Sequence, residues 1–117
     1  MEHEGLGMTF DSRVDCDVVT LEGELDCQSA PRLAETLERA CAARRPIVVD
    51  LSRLEFIDSS GLHVLLSRGA NENGRPVLVC PPGNVARVLS IIQAEQVVDV
   101  YEQLDEALAG VRNGGRG

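Results

Sequence analysis

The chain has no lysine: all 11 of its basic residues are arginine. Chemistry that needs an ammonium group is excluded, including the Walker A phosphate loop and Schiff-base formation. Tryptophan is absent too, and the only aromatic residues are Phe10, Phe56 and Tyr101, so no row of rings is available for stacking bases. Cys16, Cys27, Cys41 and Cys80 form neither a CxxC nor a CxxH pair, and zinc-ligand spacing is missing. No apolar run approaches the ~18 residues of a membrane span, and the opening Met-Glu-His-Glu does not read as a basic leader. These absences predict a cytoplasmic protein with no metal, no cofactor and no membrane partner, its cysteines reduced and packed mostly as small hydrophobes.

What the 117 residues do contain is the balance of a folded domain, 44% hydrophobic and 26% charged. One domain fits the length; it is predicted over residues 1–112, with 113–117 as a disordered tail. The formal charge is −8, and the only adjacent basic pair is Arg44 and Arg45. A phosphate backbone would be repelled, so no nucleic acid partner is expected.

Hydrophobic periodicity supplies the elements. A weak strand is read around "MTFDSRVD", and a better one in "DVVTLEGEL", where Val19, Leu21 and Gly23 alternate with Thr20 and Glu22. "DCQSAP" suits a turn and the first turn of a helix, after which Leu33, Leu37, Ala40 and Cys41 fall three or four apart, opposite Arg32, Glu35, Glu38 and Arg39. "IVVDL" and "VLVC" are short apolar runs of the kind a strand covered on both faces needs. Leu62, Leu65, Leu66 and Gly69 make a second helical stripe stopped by "NENGRP". Val85, Val88, Leu89 and Ile92 make a third, "VVDVY" reads as a short edge strand, and Leu104, Ala107, Leu108 and Val111 face inward from a last helix. Strands alternating with helices predict an α/β fold: a mixed sheet of four to five strands with about four helices packed on it.

Between "IVVDL" and the second helix lies "DSSG", residues 58–61. A carboxylate or hydroxyl there caps the exposed N–H groups of the helix, which is complete as a purely structural account and contributes about 0.5–2 kcal/mol. The same geometry also presents a serine hydroxyl to a kinase, where the positive end of the helix would stabilise the phosphate it accepts. Gly61 would leave room for a partner's loop to approach.

The segment "IVVDLSRLEFIDSSGLHVLL" resembles the signature of the STAS family, in particular its bacterial anti-sigma factor antagonists. The resemblance extends upstream to "VVTLEGELD" and downstream to "GRPVLVC" and "VVDVY", covering roughly residues 8–110. It implies a non-enzymatic protein that binds an anti-sigma factor serine kinase when unphosphorylated, releasing the sigma factor. It also implies that the kinase phosphorylates Ser59, that a PP2C-type phosphatase restores it, and that Asp26, Asp58, Ser60, Gly61, Leu62 and His63 form the partner-binding surface. Asp26 would lie near the 58–61 turn, although it reads equally as a strand-ending turn former. Ser60 is read as offering its hydroxyl to the helix end, and Asp58 as both cap and contact. The chain departs from the family pattern at Glu22 and at His63, which puts bulk close to the switch and bears on which kinase is accepted.

Three rivals stand beside this reading. A STAS scaffold recruiting another kinase or phosphatase without a sigma factor shares the fold. A serine hydrolase using Ser59 and His63 lacks a third orienting group and the GxSxG elbow. A receiver domain would place its phosphoaccepting aspartate at Asp50, read as the end of the third strand, but normally keeps a lysine beside it.

Overall fold

A computed structural model of the chain describes residues 5–43, 45–67 and 76–112. Strands β1 (Leu6–Ser12) and β2 (Asp17–Leu25) form an antiparallel hairpin. The turn between them is held from outside. Asp17 is buried and accepts from Ser12 Oγ at 2.8 Å and Arg45 Nε at 3.1 Å, while Arg45 also donates to the carbonyls of Arg13 and Cys16. Arg45 is therefore occupied inside the protein; Arg44 lies outside the described residues.

Helix α1 (Ala30–Ala42) has a proline in its first turn, where a missing N–H removes no internal bond, and it buries Ala30, Leu33, Leu37 and Ala40. There follow β3 (Ile47–Ile57), α2 (Ser59–Ser67), β4 (Val77–Val79), α3 (Asn84–Ile91), a 3₁₀ turn at Ala94–Gln96, β5 (Asp99–Tyr101) and α4 (Leu104–Arg112). The sheet order is β1-β2-β3-β4-β5, and every pair after the first is parallel. This is the expected α/β architecture, a five-stranded mixed sheet with four helices among the described residues.

Period-2 alternation sorts the core onto the two faces of the sheet. Val19, Leu21, Val49, Leu51 and Leu78 point to one face, under Leu33 and Leu37 of α1, Leu65 of α2 and Leu89 of α3. Val18, Val48, Val77 and Val79 point to the other, joined by Ala107 of α4 with Leu104, Leu108 and Val111 packed beside it. The fully buried leucines Leu21, Leu25, Leu33, Leu51, Leu65 and Leu78 each stabilise the fold by about 1.5–3 kcal/mol.

Several expectations change. β3 does not stop after the apolar run but continues to Ile57, so Asp50 lies within it rather than at its end. The Asp50 carboxylate accepts from Ser52 N at 3.0 Å and Ser52 Oγ at 2.7 Å, which removes the placement a receiver domain requires. Ile92 falls just past the end of α3, where Gln93 takes a left-handed conformation, and it is exposed rather than inward. All four cysteines are thiols, but Cys27 is exposed rather than packed. Gly69, most of the "NENGRP" stop and the tail 113–117 lie outside the described residues.

The continuation of β3 positions everything that follows. β4 pairs only with Val48, Val49 and Asp50, whereas β2 follows β3 as far as Ile57. Hairpin and β3 therefore extend together beyond the rest of the sheet. Along this extension β3 gains a residue on β2 between Thr20 and Glu22 and another between Gly23 and Glu24. Gly23 has φ +96°, and a side chain there would collide with the Gly5 carbonyl, so the irregularity needs glycine. As a result Leu54 and Ile57 are buried while Ser52, Arg53, Glu55 and Phe56 are exposed.

Candidate functional site

The extension ends with Leu25 opposite Ile57, and each strand leads through a short turn into a helix. Two polar turns, 26–29 before α1 and 58–61 opening α2, are thereby set side by side. The backbone ties them: Asp58 N–H donates to the Leu25 carbonyl at 3.1 Å, and Cys27 N–H donates to Asp58 Oδ2 at 3.1 Å.

Asp58 is the cap of α2. Its Oδ1 accepts from Gly61 N–H at 3.1 Å and its carbonyl from Leu62 N–H at 3.0 Å, satisfying two of the donors that a helix start leaves open. Both carboxylate oxygens are thus engaged, one in each turn. Asp26 organises the neighbouring turn: its Oδ1 accepts from Gln28 N–H, Ser29 N–H and Ser29 Oγ, all at 3.1 Å. Led by the bond from the Ser29 backbone N–H, these contacts hold the Asp26 carboxyl below its ordinary value of 3.8. The two carboxylates therefore stand at the mouths of two helices, each tied into its own turn.

Ser59 is exposed on the first turn of α2, and its hydroxyl has no hydrogen-bond partner among the described residues. Ser60 is half-buried, and the bond its hydroxyl was expected to give the helix end is not formed there; Asp58 supplies the cap instead. Gly61 is buried and faces inward. A Cβ on it would meet Leu25 Cγ at 2.5 Å and Ile57 Cγ1 at 3.1 Å, so the room it leaves is taken by the protein's own core rather than by a partner's loop. Leu62 is half-buried against that core, and His63 is exposed.

The structure thus brings Asp26, Asp58, Ser59, Ser60, Leu62 and His63 to one end of the sheet, with Gly61 beneath them. Sequence reasoning did not reach two members of this end. The Cys27 N–H joins turns 31 residues apart, which no local pattern reveals. Phe56, 49% exposed and two positions before Asp58, adds an apolar ring that reads as a loop residue until the register is known. Among the described residues no cluster of His, Cys, Asp and Glu is arranged to hold a metal ion, and no helix is long and apolar enough to cross a membrane.

Comparison with known proteins bears on the chain as a whole. The family model of the STAS domain matches residues 9–107. The chain is 34% identical over 98 residues to the anti-sigma F factor antagonist of Paenibacillus polymyxa, covering 78% of this chain and 82% of that one. It is 31% identical over 101 residues to the anti-sigma-F factor antagonist RsfB of Mycobacterium tuberculosis, with 83% and 82% covered. Among solved structures it superposes on an anti-sigma factor antagonist from Mycobacterium paratuberculosis with a TM-score of 0.85 at 26% identity, over 92% of this chain and 95% of the other.

Proposed function

The chain belongs to the STAS domain family, and we propose that it is an anti-sigma factor antagonist whose partner is an anti-sigma factor serine kinase. In this reading the unphosphorylated protein docks the kinase through Asp26, Asp58, Ser60, Leu62 and His63, with Gly61 setting α2 against the core beneath them. The docked antagonist displaces the sigma factor. The kinase transfers the γ-phosphoryl group of ATP to Ser59 Oγ, releasing ADP and the hydroxyl proton, and the complex dissociates. A PP2C-type phosphatase hydrolyses the ester and returns the protein to its binding state. The protein itself catalyses nothing, and its place is the cytoplasm, where ATP and reduced thiols are found.

One observation carries the reading: Ser59 presents an exposed hydroxyl with no partner among the described residues, on a turn fixed from below by Asp58 and Leu25. A phosphate there adds about −1.5 to −2 charges. It would stand near the Asp26 and Asp58 carboxylates in a chain already at −8. Repulsion and the demand for solvation would then expel a partner without any change of fold. The rigid support of the turn favours this over a backbone rearrangement.

The test incubates the protein with candidate anti-sigma kinases and Mg-ATP and maps modification by mass spectrometry. One phosphoryl group confined to Ser59, absent in Ser59→Ala, is expected, with Ser59→Asp binding the kinase at least about tenfold more weakly. Kinases that bind but leave Ser59 unmodified would replace the switch with a constitutive antagonist or a scaffold. Large backbone shifts in the NMR spectrum of Ser59→Asp would overturn the expulsion mechanism.

A further inference from the structure

Helix α2 presents a single exposed line. Of its nine residues only Ser59, His63 and Ser67 are exposed. Four-residue spacing stacks them along one side, with neighbouring Cβ atoms about 5–6 Å apart. Gly61, Val64 and Leu65 face the core, and Ser60, Leu62 and Leu66 flank the line half-buried. The Ser67 hydroxyl donates to the His63 carbonyl at 2.6 Å, so the imidazole is carried on a closed turn rather than a fraying end.

The charges around this line are unequal in sign. Within residues 25–29 and 57–67, which build the site, Asp26 and Asp58 are the acids and His63 is the only side chain able to become positive. Among the elements packed on α2, α1 carries two arginines that are engaged elsewhere: Arg32 donates to the Leu6 carbonyl and Arg39 pairs with Glu35. Glu38 is its remaining charge. On β3, Asp50 is bonded to Ser52, leaving Arg53 and Glu55 as that strand's exposed charges. A phosphate on Ser59 would therefore have one natural cation on its own helix, a single turn away.

We propose that His63 is a positioning residue of the switch: as an imidazolium it donates a hydrogen bond to the phosphoryl oxygens on Ser59 and makes the persistence of the phosphorylated state depend on pH. The proposal rests on Ser59 being the phosphoacceptor. A cation one turn from a phosphate forms a charge-assisted bond, and histidine is the side chain that gains or loses its charge between about pH 5 and 8. Toward the acid end of that range the phosphate is held along α2, partly neutralised and less open to a phosphatase. As pH rises and the imidazole loses its proton, the bond is lost and the phosphate turns to solvent. The same histidine in the unphosphorylated protein is free to face the partner, so one residue serves both states.

The experiment installs phosphoserine at position 59 by genetic encoding, so no kinase is needed, and follows the phosphate by ³¹P NMR against pH. The second ionisation of phosphoserine, ordinarily near pH 6, is expected to lie roughly half a pH unit lower in the wild-type background than in His63→Gln. His63→Arg should keep it low at every pH. A PP2C-type phosphatase should release phosphate about two- to threefold faster from His63→Gln at pH 6.5, and the difference should vanish by pH 8.5. Superimposable ³¹P titrations of wild type and His63→Gln overturn the pairing. Because the phosphoserine is genetically encoded, a kinase that fails to modify Ser59 overturns the proposed function while leaving a ³¹P difference intact. A modified Ser59 with identical titrations sinks the pairing alone.

Discussion

One face of the sheet carries the core under α1, α2 and α3, while on the other the buried cluster among the described residues is Cys16, Val18, Val48, Val77 and Val79 with Ala107 of α4. The switch turn stands on the deep face. Leu25 and Ile57, both part of that core, lie directly under Gly61, and the 26–29 turn leaves the same strand end. The shallow face contributes no residue to the site. The difference teaches that the aim of the Ser59 hydroxyl is set by close packing on one side of the sheet, while the other side closes the fold and has no direct hold on the switch.

The largest effect that bears on this contrast is expected from core truncation. Leu21→Ala, on the deep face, should lower the unfolding free energy by about 3–5 kcal/mol, and Val79→Ala, on the shallow face, by about 1–3 kcal/mol. Urea unfolding reads both. The folded fraction of Val79→Ala should bind the kinase as wild type does; a loss of affinity there would break the contrast.

Next comes the contact that joins core to switch. Gly61→Ala should destabilise by about 1–3 kcal/mol, because its Cβ would press on Leu25. In a Leu25→Ala background that penalty should shrink by roughly 1 kcal/mol, a coupling that a double-mutant cycle measures. Strict additivity would mean that α2 moves away rather than being held. Asp58→Ala should cost about 1 kcal/mol through the lost cap and should also leave the Cys27 N–H without its acceptor. Chemical denaturation and the chemical shifts of residues 26–29 would show both.

The smallest effects are in pH and thiol chemistry. The Asp26 carboxyl, held below 3.8 in the folded state, contributes stability that is present above that value and lost as pH falls through its folded value. Asp26→Asn should therefore flatten the acid limb of a stability profile. At the other end, burial pushes the Cys80 thiol up from 9.0 to about 11, with Asp50 adding to the effect. Its contribution is present below about pH 9 and lost as pH rises toward 11, so Cys80→Ala should flatten the alkaline limb. Cys16, on the shallow face, is raised in the same direction, chiefly by burial. With a thiol reagent near neutral pH, exposed Cys27 should react first. Half-buried Cys41 should follow, then Cys16 through local opening and Cys80 last, an order that sharpens the contrast if seen and breaks it if Cys80 precedes Cys16.

The parts of this molecule legible in sequence are those whose signal is local. β2, α1 and α4 announce themselves because a period of 2 or 3.6 survives along the segment, and Asp58 because a cap lies next to the helix it starts. The full length of β3 was hidden. Beyond Leu51 it pairs with one neighbour only, and the two register shifts break its alternation into buried Leu54 and Ile57 among exposed residues, which reads as a loop. The direction of Gly61 was hidden for a different reason. Whether a glycine admits an outside partner or the chain's own core depends on a strand 36 positions earlier, at Leu25. The meeting of the two turns needs the same long-range register.

Those register shifts make the stretch from Asp50 to Asp58 a measured length, like a vernier scale sliding against β2. Thr20 stands opposite Asp50, but Leu25 stands opposite Ile57, so β3 uses two more residues than its partner to travel the same distance. Removing one residue from that stretch would move Asp58 by one strand position and turn it to the opposite face. Composition there is free to vary at the exposed positions; the count is not.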